Sequence, residues 1–207
     1  MTQPDEILSF WFPADLAGAG EARFFEQVKF WFRGGADEEI VRRFPEVTAH
    51  ALDGGLVEWE RDPRRRLALI LVLDQFPRSL YRDSPRAFAG AARAERLVLA
   101  TLDAGEHHAF QPWEQMFFGL VLGHSEDLAL HDRGVALSES LMALYPPELR
   151  KLAEVSLFQA RAHRDEIVRF GRHPSRNVIL GRATTPEEQR YLDTEGPAHL
   201  RSRNTLA

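Results

Sequence analysis

The 207-residue chain contains no cysteine. Disulfide bonds and thiolate metal sites are therefore excluded, and nothing in the composition calls for an oxidising compartment. Lysine is nearly missing too: of 26 basic residues only Lys29 and Lys151 are lysines, and the others are arginines. No basic tail offsets the net charge of −5, which argues against general nucleic-acid binding. Long apolar runs are lacking. "LALILVL" (67–73) and "MFFGLVL" (116–122) stop after seven residues, whereas a membrane-spanning helix needs roughly 20, so no membrane association is expected. The start, "MTQPDEILSF", has no basic segment ahead of an apolar one; no signal peptide is expected, and a cytoplasmic location is. A phosphate-cradling glycine loop is also missing. "GAG" (18–20) and "GG" (34–35) lack the Lys-Ser/Thr continuation, so neither a nucleotide nor any other cofactor is expected.

What the chain does contain recurs at helical spacing. Pro4-Asp5-Glu6 makes a favourable first turn for a helix through Phe12, which Pro13 stops. An aromatic segment, "EARFFEQVKFWF" (21–32), follows a Gly/Ala loop. Over 37–53, Ile40, Val41, Phe44, Val47 and Leu52 form an apolar side, although Pro45 should kink or break that span. Pro63 opens a helix to about Gln75, and Ser84-Pro85 reads as the N-cap and first residue of a helix to Asp103. Further helices are predicted over 112–122, 126–144 and 148 to about 171. Thr185-Pro186-Glu187-Glu188 has the form of a capping box before a last short helix. No stretch alternates at period two, and no Asn-Gly or Asp-Gly turn joins two strand-like runs. The expectation is one all-α domain, a compact array of about eight helices in antiparallel hairpins, because the connections are mostly short. "SFWF" (9–12) and "KFWF" (29–32) read as core anchors of neighbouring helices, since no clean repeat recurs at about 34 residues.

Three helix ends carry more charge than their surroundings suggest. The helices containing "LALILVL" and "MFFGLVL" are apolar all round and should be buried on every side. The first runs into Asp74-Gln75-Phe76-Pro77-Arg78, the second into Gly123-His124-Ser125-Glu126-Asp127. A long third helix, expected to be buried like the others, ends in Phe170-Gly171-Arg172-His173-Pro174-Ser175-Arg176-Asn177. That end lies in a stretch, 169–182, holding four arginines and a histidine. Charges at buried helix ends need partners. Asp74, Glu126 and Asp127 are therefore expected to meet Arg78, Arg172 and Arg176 in one polar centre. On the third helix Ser156, Gln159 and His163 share a face with Leu149, Leu152, Ile167 and Phe170. A stripe that is apolar at both ends and polar in its middle fits a polar cavity or a wet internal network.

The strings "LDQFPRSLYRDSPRAFA" (73–89), "GHSEDLALHDR" (123–133) and "HRDEIVRFGRHPSRNVILGR" (163–182), with "FWF" near the start, resemble the bacterial domain-of-unknown-function family 924. The resemblance covers almost the whole chain. It implies an all-helical fold similar to tetratricopeptide-repeat-like proteins, and it implies no established activity. Pro45, inside the 37–53 span, departs from a continuous helix and should kink or break it.

Several kinds of chemistry can be weighed on residue type and spacing. Gly123-His124-Ser125-Glu126-Asp127 lacks the last glycine of a nucleophile elbow and no strand precedes it, so Ser125 reads as the N-cap of the next helix. Di-iron chemistry expects Glu-x-x-His on paired helices, and that string does not occur. His124, Asp127 and His131 share a helix face only if the helix runs through Gly123–Ser125, which the cap denies; no metal is expected. The reading kept is a pocket for a small anion, with Arg78, Arg172 and Arg176 as bidentate donors and Gln75, Gln159 and Asn177 as further contacts. His163 or His124 are the candidates for moving a proton, with Asp74 or Glu126 orienting it. The alternative is a helical scaffold for a protein partner or a second copy, with the Arg/Asp cluster purely structural; exposed tryptophans among Trp11, Trp31, Trp59 and Trp113 would favour it.

Overall fold

A computed structural model describes residues 2–196. Among these every regular element is helical and no strand occurs. The α-helices are α1 (Pro4–Trp11), α2 (Glu21–Phe32), α3 (Asp37–Arg43), α4 (Pro45–Leu52), α5 (Pro63–Asp74), α6 (Phe76–Leu80), α7 (Ala91–Asp103), α8 (Pro112–Gly123), α9 (Leu128–Leu141), α10 (Arg150–Phe170) and α11 (Pro186–Thr194). They outnumber the eight or so expected because the 37–53 span is split in two and α6 follows α5 where no helix was expected.

Each interruption has a local cause. Pro45 has no N–H to continue α3, so the chain kinks at Phe44 and Pro45 becomes the first residue of α4. Ser84 does cap a helical turn by accepting from the Arg86 N–H, but that turn is a 3₁₀ segment ending at Phe88. The regular helix begins only after Gly90, whose missing Cβ leaves room for the Leu73 carbonyl: a Cβ there would lie 2.3 Å from that oxygen. The capping box before α11 forms as expected, with Thr185 Oγ1 accepting from Glu188 N–H and Glu188 accepting from Thr185 N–H. Ser125 does not cap α9. Asp127 does, accepting from the Ala129 N–H.

α5 is the axis of one half of the molecule. Leu67 to Leu73 are shielded all round by α1, α4, α7 and the turn Val57–Arg61. α8 plays the same part in the other half, packed between α7, α9 and α10. Each large apolar side chain buried this way contributes roughly 1.5–3 kcal/mol, so the two axes supply much of the driving force. The aromatic doublets knit the first helices to both: Trp31 Nε1–H donates to the Trp11 carbonyl at 2.8 Å, and Phe117 of α8 packs edge-on against Trp11, Phe12 and Trp31. All four tryptophans are buried.

α10 corrects the expectation of a third buried helix. Only Ala153, Glu166 and Ile167 on it are buried, while Val155, Phe158 and Val168 face solvent. Its many arginines and acids need water on one side, so it lies as an outer wall over α8 and α9. The chain leaves it at Gly171, which takes the left-handed conformation (φ +66°) that ends many helices, and folds back toward α8.

Candidate functional site

The C-terminal ends of α5, α8 and α10 meet. α5 delivers Asp74, 3% exposed, into the interior. Its carboxylate accepts from Arg78 Nη2 (3.0 Å), from the Gln75 amide (2.6 Å) and from His124 Nδ1, which is 2.9 Å from both oxygens. Burial alone would raise the Asp74 carboxyl, but the neighbouring His124 and Arg78 outweigh it and hold the acid well below the usual carboxylate range. His124 is pulled down to about 3 by burial and by the Arg78 cation, although Asp74 favours its protonated form. The ring is therefore neutral, with Nδ1–H directed at Asp74 and Nε2 bonded to no described residue.

A second constellation lies where α10 turns back. The Ser125 carbonyl accepts from His131 Nε2 and from His173 Nε2, each at 2.9 Å. The Nδ1 of His173 meets Glu166 Oε1 at 2.8 Å, and the other Glu166 oxygen accepts from the Tyr191 hydroxyl at 2.7 Å. Burial opposes ionisation of Glu166, but the His173 and Tyr191 hydrogen bonds prevail and its carboxyl stays below the usual value. His131 keeps a buried Nδ1 with no hydrogen-bond partner. Glu126 closes this side by accepting from the His173 N–H and from the Arg182 guanidinium in two bonds.

Between α8, α9 and α10 lies a small open cleft. Met116, Leu120 and His124 line it from α8, where Gly119 and Gly123 give it room; Ser156, Gln159, Ala160 and His163 line it from α10, and Ser138 from α9. The polar middle of the α10 stripe thus faces a cavity, as its pattern suggested. His163 is pulled down to about 4, mainly by burial and then by His173, and its ring makes no hydrogen bond to a described residue.

The arginines separate into two groups. Arg172 leaves the centre: it pairs with Glu188 of α11 at 2.6 Å and donates to the Ala183 carbonyl. Asn177 goes with it, its amide donating to the same carboxylate. Arg78 and Arg176 remain. Their guanidinium carbons lie over one ring, Phe88, at 5.6 and 5.0 Å from its centroid. Arg78 is tied to Asp74, whereas the half-buried Arg176 guanidinium forms no hydrogen bond or ion pair with any described residue. Burial and the adjacent Arg78 lower Arg176 to about 10 against the pull of Glu126, Asp74 and Glu166, and its charge in turn disfavours protonation of His124, His131 and His163.

Of the residues expected in one pocket, His124, Gln159 and His163 line the cleft, and Asp74, Gln75, Arg78 and Arg176 stand behind it. Glu126 holds the turn to Arg182 rather than orienting a histidine side chain, and Arg172 and Asn177 belong to the α11 corner. His124, Asp127 and His131 do not form a metal group; each is engaged separately. Glu166 and Phe88 escaped the sequence reading. The signal for Glu166 was its spacing three residues after His163, the reverse of the Glu-x-x-His order sought.

A family model described as "Bacterial protein of unknown function (DUF924)" matches residues 7–196. Among solved structures the chain is similar to a protein of unknown function, ATU0120, from Agrobacterium tumefaciens. The two are 32% identical, with a TM-score of 0.74 over 93% of this chain and 97% of that one. No curated protein matches.

Proposed function

We propose that this chain, which belongs to the DUF924 family, binds a small anion beside the α8–α10 cleft. Arg176 carries the reading. Its half-buried guanidinium shares the Phe88 ring with Arg78 and makes no hydrogen bond or ion pair with a described residue, although the fields of Glu126, Asp74 and Glu166 favour its charge. Burial of its charge costs free energy that these acids offset only in part, and a directly bonded anion offsets more of it. Carboxylate and phosphate are the matching acceptors, because both present two oxygens to the guanidinium fork. Gln159 at the mouth and the neutral Nε2 of His124 offer further polar contact to an occupant. The scaffold alternative loses its main support, since the tryptophans that would anchor a partner are buried. The α7–α10 segment, in which each helix packs on the next, supports stacking of hairpins in the tetratricopeptide manner.

The test is thermal unfolding of wild type, Arg176→Ala and Arg172→Ala with inorganic phosphate, sulfate or short dicarboxylates. An anion at 100 times its Kd stabilises by about 2.7 kcal/mol. The expected result is a rise in Tm for wild type and Arg172→Ala that Arg176→Ala lacks. No rise in wild type, or an equal rise in Arg176→Ala, overturns the reading.

A further inference from the structure

We propose that His163, Glu166 and His173 form a binding site for a divalent transition-metal ion of the zinc type, open to the cleft. One ligand atom from each, a ring nitrogen or a carboxylate oxygen, lies within 4.8 Å of the others. Local structure explains the grouping. His163 and Glu166 are three residues apart on α10 and share a face, and the left-handed Gly171 turns the chain so that His173 returns over the same face. The His163 ring stands edge-on to the His173 ring, centroids 5.7 Å apart.

Two of the three ligands are already oriented. Metal-bound histidines commonly donate their second ring N–H to a carbonyl, which fixes the other nitrogen toward the ion. His173 does this, with Nε2–H on the Ser125 carbonyl and Nδ1 toward Glu166. Glu166 is held in turn by the Tyr191 hydroxyl. Ligands about 2.0–2.1 Å from a tetrahedral ion lie roughly 3.3–3.4 Å apart. His173 Nδ1 and Glu166 Oε1, 2.8 Å apart, open by about half an ångström to hold one. A cation there takes the place of the proton that otherwise joins the pair, and His163, bound to nothing else described, is free to swing in as third ligand. Two imidazoles and one carboxylate suit zinc, nickel, copper or iron rather than magnesium or calcium.

A plain His173–Glu166 ion pair explains those two residues without a metal. It does not explain His163 beside them, with nitrogens left unanswered at the cavity wall, nor the unpartnered Nδ1 of the buried His131 next to His173. Three protein ligands leave coordination positions on the cleft side for water or an occupant. The Arg176 cation opposes the ion electrostatically, which gives the proposal a distinctive signature: removing that charge tightens the metal.

The test titrates zinc, and cobalt for its visible spectrum, into the chelator-treated full chain in phosphate-free buffer, so that it does not depend on the anion reading. His163→Ala probes the ligand whose loss breaks no hydrogen bond in the fold. His107→Ala/His108→Ala removes the adjacent histidine pair, whose rings are 3.9 Å apart and which could capture zinc independently. Expected are one equivalent of zinc, at least a tenfold weaker affinity in His163→Ala, tighter binding in Arg176→Ala, and no change in the double variant. Circular dichroism confirms that each variant is folded. Absence of stoichiometric binding in wild type overturns the proposal, as does binding that survives in His163→Ala or vanishes in the double variant.

Discussion

Arg172 and Arg176 come from one short arginine-rich turn and end in opposite circumstances. In the α11 corner, Arg172 meets a carboxylate that also receives Asn177 and the Thr185 N–H, so that every charge has an answer. Behind the cleft, Arg176 rests on Phe88 beside another cation and is bonded to no described carboxylate. Sequence composition treats the two alike. The difference teaches that an arginine cluster is not one device: the same turn fastens the last helix with one side chain and leaves another unbonded behind the cleft.

That contrast can be broken from either side. The largest effect is expected at Asp74, the anchor of the cleft. Asp74→Ala leaves Arg78 and His124 without their buried partner, a loss of about 3–5 kcal/mol that urea unfolding will register. Next comes the corner. Arg172→Ala strands Glu188 and should cost about 1.5–3 kcal/mol, with no effect on the anion response. The acid limb of stability tests the same corner without a truncation. Glu188 is held down to about 2, chiefly by its hydrogen bond with Arg172 and despite desolvation. The unfolded chain therefore takes up this proton more readily than the folded one. The stabilisation is complete above the ordinary value of 4.5 and disappears as pH falls through about 2. Glu188→Gln should flatten that part of the pH–stability curve. The smallest effect on stability is expected at Arg176. Arg176→Ala gives up a cation–π contact and the attraction of Glu126, Asp74 and Glu166, but relieves repulsion with Arg78 and the burial of a charge. Its unfolding free energy should lie within about 1 kcal/mol of wild type, and a loss as large as that at Asp74 would make both arginines structural.

Much of this molecule was legible before folding. Helical spacing, proline positions and the Thr185 box located most helices, because these signals act within a turn or two of the chain. The all-apolar runs announced α5 and α8 as buried axes, and the polar middle of the α10 stripe announced the cleft wall. What failed had distant causes. The start of α7 depends on how closely Gly90 approaches the Leu73 carbonyl, a contact between separate helices. The exposure of α10 depends on which neighbours remain to cover it.

The sequence by itself determined an all-helical chain with two apolar axes and charged groups at their ends, since hydrophobic period and capping are written in adjacent residues. Only the tertiary structure decided which charges found each other. Glu188 reached Arg172 and not Arg176, and Glu166 reached His173, because hydrogen bonding and desolvation depend on ångström distances between segments far apart in the chain. His163 was thereby left facing an open cleft, and Arg176 behind it without a bonded partner among the described residues.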